Sequence, residues 1–151
     1  MNAQLRLRTF LWFNGTLDSA LPFYEKTFGD GFELNGTHLN PETGSIFTAD
    51  FSIFGHEFIA MNWPGGPDFN EAISLSIETD GQPQTDELWE ALTRDGEPGQ
   101  CGWCTDPFGV IWQVSPKQMR TWLEHPDADV RAYADRALRG MSKIIINELH
   151  Q

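Results

Sequence analysis

Two cysteines three positions apart carry the most reactive side chains of this chain. They lie in the sequence Cys101-Gly102-Trp103-Cys104, which has the C-x-x-C spacing of thiol–disulfide oxidoreductases. That chemistry needs the first cysteine at a helix N-terminus, where partial positive charge lowers the thiol pKa. Here the motif precedes a turn and a strand, and no second cysteine pair completes a zinc site. A thiol-redox function through Cys101 and Cys104 is therefore the weaker alternative.

The other side chains that bind metals or activate nucleophiles are scattered along the chain. None of the four histidines pairs with another at ligand spacing; they are His38, His56, His125 and His150. The chain also lacks G-x-S-x-G, H-E-x-x-H and a phosphate-binding P-loop. The residues alone thus indicate no catalytic centre, and no cofactor is expected.

Aromatic and amide side chains on predicted strands indicate a site of another kind. An apolar cavity with a few convergent polar groups is the usual form of a small-molecule site. Asn62 and Gln113 are the most telling members, because a buried amide needs hydrogen-bond partners. The alternative is that strand aromatics simply fill the core. The predicted ligand-binding residues are Trp12, Asn14, Phe47, Asn62, Trp63, Trp103, Trp112 and Gln113.

Apolar periodicity and turn residues predict the elements that carry these side chains. Each half of the chain has a strand, a helix and then further strands, and such self-similarity indicates a duplicated βαβββ module. In the first half, the prediction is a strand at 5–13, a helix at 17–28, a short strand at 32–34, a loop at 35–44, and strands at 45–54 and 57–63. In the second half, it is a strand at 71–79, a helix at 86–94 and a hairpin at 101–116.

The closing hairpin turns at Asp106-Pro107-Phe108-Gly109, whose residues favour a tight reversal. After Pro116 the pattern changes to two predicted helices, at 118–123 and 127–140. The following Ile144-Ile145-Ile146 run is too short to form a core alone. We expect this tail to pack either on its own domain or across a dimer interface.

Four segments of the chain resemble PhnB-like proteins, a family described as 3-demethylubiquinone-9 3-methyltransferase-like. The strand at Trp103, the Asp106 turn and Trp112-Gln113-Val114 resemble the family's closing hairpin. The other segments are Phe13-Asn14-Gly15-Thr16 leading to Phe23-Tyr24, Gly44-Ser45-Ile46, and Phe69-Asn70-Glu71-Ala72-Ile73-Ser74. The resemblance covers roughly residues 8 to 116. It places the chain in the vicinal-oxygen-chelate superfamily, with glyoxalase I and the bleomycin-resistance proteins.

This resemblance implies an α+β fold of the glyoxalase/bleomycin-resistance type. Two βαβββ modules, at about 5–66 and 70–116 within residues 1–116, would form a partly open mixed-sheet barrel. A helical C-terminal extension would span 117–151. The superfamily commonly builds its cups from paired modules, so the resemblance also implies a homodimer.

Superfamily enzymes hold a metal through ligands on the first and last strands of each module. By resemblance those positions fall near Thr9, Ala60, Ala72 and Gln113, and threonine and alanine cannot hold the metals involved. Shifting the register to Glu71 would turn that side chain to the opposite face. The expectation is therefore a metal-free protein that binds a small aromatic or amphipathic molecule in the cup, as bleomycin-type sequestration proteins bind without catalysing.

The alternative within the superfamily is a metal-dependent lyase, isomerase or dioxygenase with ligands away from the usual positions. Methyl transfer, which the family description suggests, would need a cofactor cradle on a nucleotide-binding sheet. The chain contains nothing that resembles the Gly-rich turn of such a cradle.

The charge of the chain bears on its partners. It has 22 acidic and 10 basic residues, for a net charge of −12. Such a field repels phosphate backbones and anionic bilayers, so neither nucleic acid nor membrane is expected as a partner. No 18-residue apolar run occurs, and the first residues lack the apolar region of a signal peptide. We therefore expect a cytoplasmic location.

Overall fold

Within residues 4–151, two four-stranded mixed sheets, each open rather than closed, and four α-helices make up an α+β fold. The computed structural model describes residues 4–151. The chain divides after Pro67 into a first unit and a second unit, Asp68–Gln151. Both units begin with the order βαβββ, and the first and last strands of each are parallel neighbours. The predicted fold class and module duplication are confirmed.

The first unit is built on a sheet with strand order β1-β4-β3-β2. Its helix buries one apolar stripe, which includes Leu17, Tyr24 and Phe28. Tyr24 stacks on Phe51 at 6.3 Å between ring centroids, and Phe51 stacks on Phe58 at 5.0 Å. The elements are β1 Thr9–Phe13, α1 Leu17–Phe28, β2 Phe32–Leu39, β3 Ile46–Ile53 and β4 His56–Asn62.

Two boundaries of the first unit differ from the predictions. The loop predicted at 35–44 is wrong in its first half, because β2 continues to Leu39 and pairs with β3. The polar side chains of this segment are compatible with an edge strand, which forms backbone hydrogen bonds to a neighbour on one side and faces solvent on the other. The strand predicted from Leu5 begins at Thr9, where pairing with β4 begins.

The second unit repeats this sheet with strand order β5-β8-β7-β6. Its first strand begins at Leu75, later than the predicted residue 71, and its first helix begins at Gln82, earlier than the predicted residue 86. The helix starts earlier because Pro83 lies in its first turn, where a missing N–H costs little. The elements are β5 Leu75–Thr79, α2 Gln82–Thr93, β6 Glu97–Pro98, β7 Trp103–Thr105, β8 Ile111–Pro116, α3 Met119–Leu123 and α4 Ala128–Arg139.

The C-terminal tail packs on the second unit of its own chain. Met141, Ile144 and Leu149 form a buried cluster against the two last helices. The Cys101 and Gly102 amides donate to the carbonyls of Met141 and Ser142 at 2.8 and 2.7 Å. Of the two predicted placements, the structure therefore has packing on the chain's own domain. No helix within residues 4–151 has the length and apolar character needed to cross a bilayer.

Candidate functional site

The hairpin of β7 and β8 is held together by a buried carboxylate. Asp106 is 2% exposed, and its Oδ1 accepts hydrogen bonds from the Phe108 and Val110 amides at 2.9 and 3.0 Å. Its Oδ2 accepts from the Trp112 Nε1–H at 2.9 Å. The sequence predicted the turn at Asp106. The contact with Trp112 ties that turn to β8 as well.

The two faces of this hairpin have different surroundings. Cys104 and Trp112 are paired across the strands and are both buried. Trp103 and Gln113 form the neighbouring pair, so their side chains point to the opposite face. Gln113 Nε2 donates to Ser74 Oγ at 2.8 Å, and Trp103 is half-buried. The second face therefore presents an indole beside an amide whose orientation is fixed.

A cleft of about 350 Å³ opens beside Trp103 in the second unit. We call it the Trp103 cleft. Its walls are mainly apolar, with Glu71 as the charged member. Eight residues line it: Glu71, Gly99, Gln100, Cys101, Trp103, Cys104, Thr105 and Ile111.

Most of these lining residues were not predicted as ligand-binding residues. Of the predicted set, Trp103 lines the cleft. Glu71 precedes β5, and Gln100 lies in the turn before β7, so neither belongs to a strand whose alternation would predict its direction. The Gly99 and Gly102 positions, which shape that turn, were the available signal.

The two cysteines of the C-x-x-C motif have unequal environments. Cys101 is half-buried in a turn, with a φ of 59°, and both thiols are free. Burial, and secondarily the charge of Asp106, raises the pKa of the Cys104 thiol to about 12. Thiol–disulfide exchange requires a thiolate, and Cys104 stays protonated at neutral pH. The arrangement therefore disfavours redox function.

In the first unit, four of the predicted residues surround the end of β4. Trp12 Nε1 donates to the Trp63 carbonyl at 2.7 Å, and Phe47 contacts the Trp63 ring edge-on at 5.9 Å between centroids. Asn14 Oδ1 accepts from the Gly66 amide at 2.6 Å. A Cβ on Gly66 would lie 2.5 Å from the Trp12 ring, so glycine permits this close approach. The contacts fix the chain where it leaves the sheet.

The fifth predicted residue of the first unit, Asn62, joins β4 to the start of α1. Its Oδ1 accepts from the Leu17 amide at 3.5 Å, and its Nδ2 donates to Asp18 Oδ2 at 3.4 Å. Five of the eight predicted residues thus lie together in the first unit. Trp103 and Gln113 lie together in the second, where Trp112 is buried. That all eight line one ligand site stays a prediction.

The residues at the superfamily's metal positions do not fit a metal. Thr9 Oγ1 is hydrogen-bonded to His56 Nε2 at 2.8 Å, and Ala60 is fully buried. Ala72 offers no side-chain donor atom, and Gln113 holds Ser74. Throughout residues 4–151, no three or more His, Cys, Asp or Glu side chains converge as a metal-binding group. The chemistry of the donor set disagrees with the superfamily's usual ion.

Comparison with known proteins identifies the chain's relatives. The family model described as 3-demethylubiquinone-9 3-methyltransferase matches residues 6–115. No protein with a curated description matches the chain. Among solved structures, the PhnB protein from Bacillus cereus is 26% identical with a TM-score of 0.67, over 74% of this chain and 99% of that one.

Two further solved structures share the fold at lower identity. A protein from Pseudomonas aeruginosa is 23% identical with a TM-score of 0.60, over 75% of this chain and 98% of its own. The fosfomycin resistance protein FosX from Listeria monocytogenes, solved with Mn(II) and sulfate, is 16% identical with a TM-score of 0.56, over 76% and 92%. The chain therefore belongs to the PhnB-like, 3-demethylubiquinone-9 3-methyltransferase-like family.

Proposed function

We propose that this protein binds a small organic molecule in the Trp103 cleft and that it does so without a metal. The observation that carries the proposal is the cleft itself. Its volume of about 350 Å³ is within the range of small-molecule sites, which runs from roughly 300 to 1,000 Å³. The Trp103 indole supplies a flat apolar wall, and Gln100 and Thr105 supply neutral polar groups. This composition suits an aromatic or amphipathic ligand.

The cleft is supported by groups that keep its walls in place. Trp103 is paired with Gln113 across the hairpin, and Gln113 in turn is bonded to Ser74. In the turn before β7, the Cys101 and Gly102 amides donate hydrogen bonds to the Met141 and Ser142 carbonyls of the C-terminal tail. A site with a pre-ordered wall loses less conformational entropy when a ligand binds.

The lining favours binding over catalysis. No histidine or lysine is among the lining residues, and the buried Cys104 thiol is held in its neutral form. A nucleophilic mechanism needs a nucleophile with an adjacent base. The Cys101 thiol and the Glu71 carboxylate also line the cleft, but no hydrogen bond joins them within the described residues. The cleft therefore offers contact surface, which is what reversible sequestration requires.

The experiment is a fragment-binding screen by ligand-observed NMR on protein treated with EDTA. We expect fragments with an aromatic ring to bind and Trp103→Ala to weaken them by about tenfold or more. Phe10→Ala removes a half-exposed aromatic ring from β1 of the first unit and serves as the matched control. Unchanged binding to Trp103→Ala would contradict the proposed site.

The metal-free part of the proposal has its own measurement. Plasma mass spectrometry on untagged, freshly purified protein should find well under one equivalent of any transition metal per subunit. Stoichiometric metal that EDTA removes together with thermal stability would contradict the proposal and favour a metal-dependent enzyme.

A further inference from the structure

The charge on the walls of the Trp103 cleft indicates which ligands it can hold. Glu71 is the charged residue among the eight that line it, and none of the eight is basic. The Glu71 side chain is exposed and forms no hydrogen bond or ion pair with the described part of the chain, residues 4–151. Its carboxylate is thus available to a ligand.

Glu71 lies in the same cleft as an aromatic ring that also favours positive charge. The face of an indole is electron-rich and attracts ammonium and guanidinium groups, tryptophan most strongly of the aromatic side chains. Trp103 is half-buried, so part of its ring remains open to a ligand. Carboxylate and indole together form the pair of groups that typically recognises an organic cation.

The other ligand charges fit this cleft less well. An anion would meet Glu71 with no basic residue on the lining to offset it, inside a chain whose net charge is −12. That field also raises the local concentration of cations near the surface. A neutral ligand could use the apolar wall but would gain nothing from the carboxylate.

We propose that the Trp103 cleft takes an organic cation with an apolar body. The ammonium or guanidinium group pairs with Glu71 and contacts the face of the Trp103 indole, and the apolar body lies against Ile111. This inference rests on the proposed function, because it names the ligand class of the same site. It concerns reversible binding, and no bond is made or broken.

The test compares ligands that share an aryl group and spacer and differ in a cationic, neutral or anionic head group. The first triplet is 2-phenylethylamine, 2-phenylethanol and 3-phenylpropionate, followed by further amine, alcohol and acid triplets on the same pattern. We expect the amines to bind about five- to tenfold more tightly than the alcohols, and the acids to bind most weakly. The amine preference should decrease between 20 mM and 500 mM salt, because screening weakens charge pairing.

Substitution of Glu71 distinguishes cation binding in the Trp103 cleft from general attraction of cations to an acidic surface. Glu71→Gln should remove the amine preference while leaving alcohol binding unchanged. Glu87→Gln is the matched control, because Glu87 is an exposed residue of α2 outside the cleft and its loss changes the net charge equally. The control should keep the full preference.

The outcomes distinguish failure of this inference from failure of the proposed function. If amines and alcohols bind equally, or if Glu71→Gln and Glu87→Gln act alike, the cation inference is overturned while binding at Trp103 stands. If no triplet of any charge binds, or if Trp103→Ala leaves binding of every class unchanged, both proposals are overturned.

Discussion

At the scale of single residues, Asp106 shows how one side chain can fix a hairpin. Its carboxylate accepts two turn amides and the Trp112 indole N–H while almost fully buried. A carboxylate that accepts several hydrogen bonds can be buried without its full desolvation cost. The same contacts keep Trp112 on the buried face and leave Trp103 on the face of the cleft.

Removing this carboxylate should be costly. Asp106→Ala removes the acceptor of the buried Val110 amide and Trp112 indole and of the part-buried Phe108 amide. We expect the free energy of unfolding to decrease by about 3 kcal/mol. Urea unfolding followed by tryptophan fluorescence measures it. Asp95→Ala, at an exposed position, should change stability by less than about 0.5 kcal/mol. Equal effects of the two substitutions would show that the buried network contributes little.

Cys104 should make stability depend on pH in alkaline solution. Its pKa is about 12 in the folded protein against an ordinary value of 9.0. Between these values the unfolded chain loses the proton and the folded chain keeps it, so stability is complete below pH 9 and decreases as pH rises towards 12. The decrease should be steeper in the wild type than in Cys104→Ala by about 1 kcal/mol per pH unit. Parallel slopes in urea unfolding at pH 8 to 11 would contradict a buried, neutral thiol.

The sequence predicts some of these contacts of single residues and not others. Asp106 was recognised as a turn residue because Asp-Pro-Phe-Gly is local turn chemistry. Its bond to Trp112 depends on the pairing of two strands, and no local pattern reports that. The need of buried amides for partners singles out Asn62 and Gln113, and the partners in the structure are the Leu17 amide, Asp18 and Ser74.

At the scale of elements, the C-terminal tail adds contacts to the helix and the turn of the second unit. Gln82 at the start of α2 bonds the tail in both directions: Nε2 donates to the Ile144 carbonyl, and Oε1 accepts from the Ile146 amide. Lys143 pairs with Asp86 of the same helix at 2.8 Å, and that hydrogen bond lowers the pKa of Asp86. The tail thus connects α2 to the turn that lines the cleft.

The apolar anchors of the tail should carry most of its stabilisation. Ile144 and Leu149 are fully buried, so Ile144→Ala and Leu149→Ala should each lower the free energy of unfolding by about 2–4 kcal/mol. Ile73→Ala is the matched control, because Ile73 is 75% exposed and its truncation should cost less than about 0.5 kcal/mol. Denaturant unfolding of the three variants compares them. Wild-type stability in both tail variants would refute the packing described above.

The sequence predicts element boundaries well where apolar residues repeat regularly. It predicts them poorly at an exposed strand whose residues are mostly polar. The α1 helix was predicted at its observed residues, because its apolar stripe repeats regularly over three turns. The predicted strand at 32–34 ends before β2 does, because the polar residues that follow are typical of a loop and only their pairing with β3 makes them a strand. The Ile144–Ile146 run is evident in the sequence, but its partners Met119 and Trp122 lie in α3, which sequence spacing cannot place beside it.

At the scale of the whole molecule, the chain extends beyond the region that the family model matches. The family model covers residues 6–115, and the Bacillus cereus structure aligns over 99% of its own length but 74% of this chain. The residues after Pro116, which form α3, α4 and the tail, therefore lie beyond the matched region. Their tail carbonyls accept hydrogen bonds from the turn beside the Trp103 cleft, so residues outside the family-model match support the candidate site.

We propose that the protein is a homodimer, as its superfamily resemblance implies. The edge strand β2 adds an observation in favour, because its Leu34 and Leu39 side chains are about half exposed and its outer backbone edge is unpaired in the sheet order. Sedimentation equilibrium should give twice the chain mass of 17.1 kDa. A single species at 17.1 kDa at all concentrations would contradict the proposal.

The most direct test of the central claim, metal-free binding in the Trp103 cleft, is an NMR map of the bound ligand. Isotope-labelled, EDTA-treated protein would be titrated with the tightest fragment from the screen. The predicted result is a saturable set of shifts at the Trp103 indole and at Gly99, Gln100 and Thr105. Binding that needs added metal, or shifts confined to residues outside the cleft, would contradict the account.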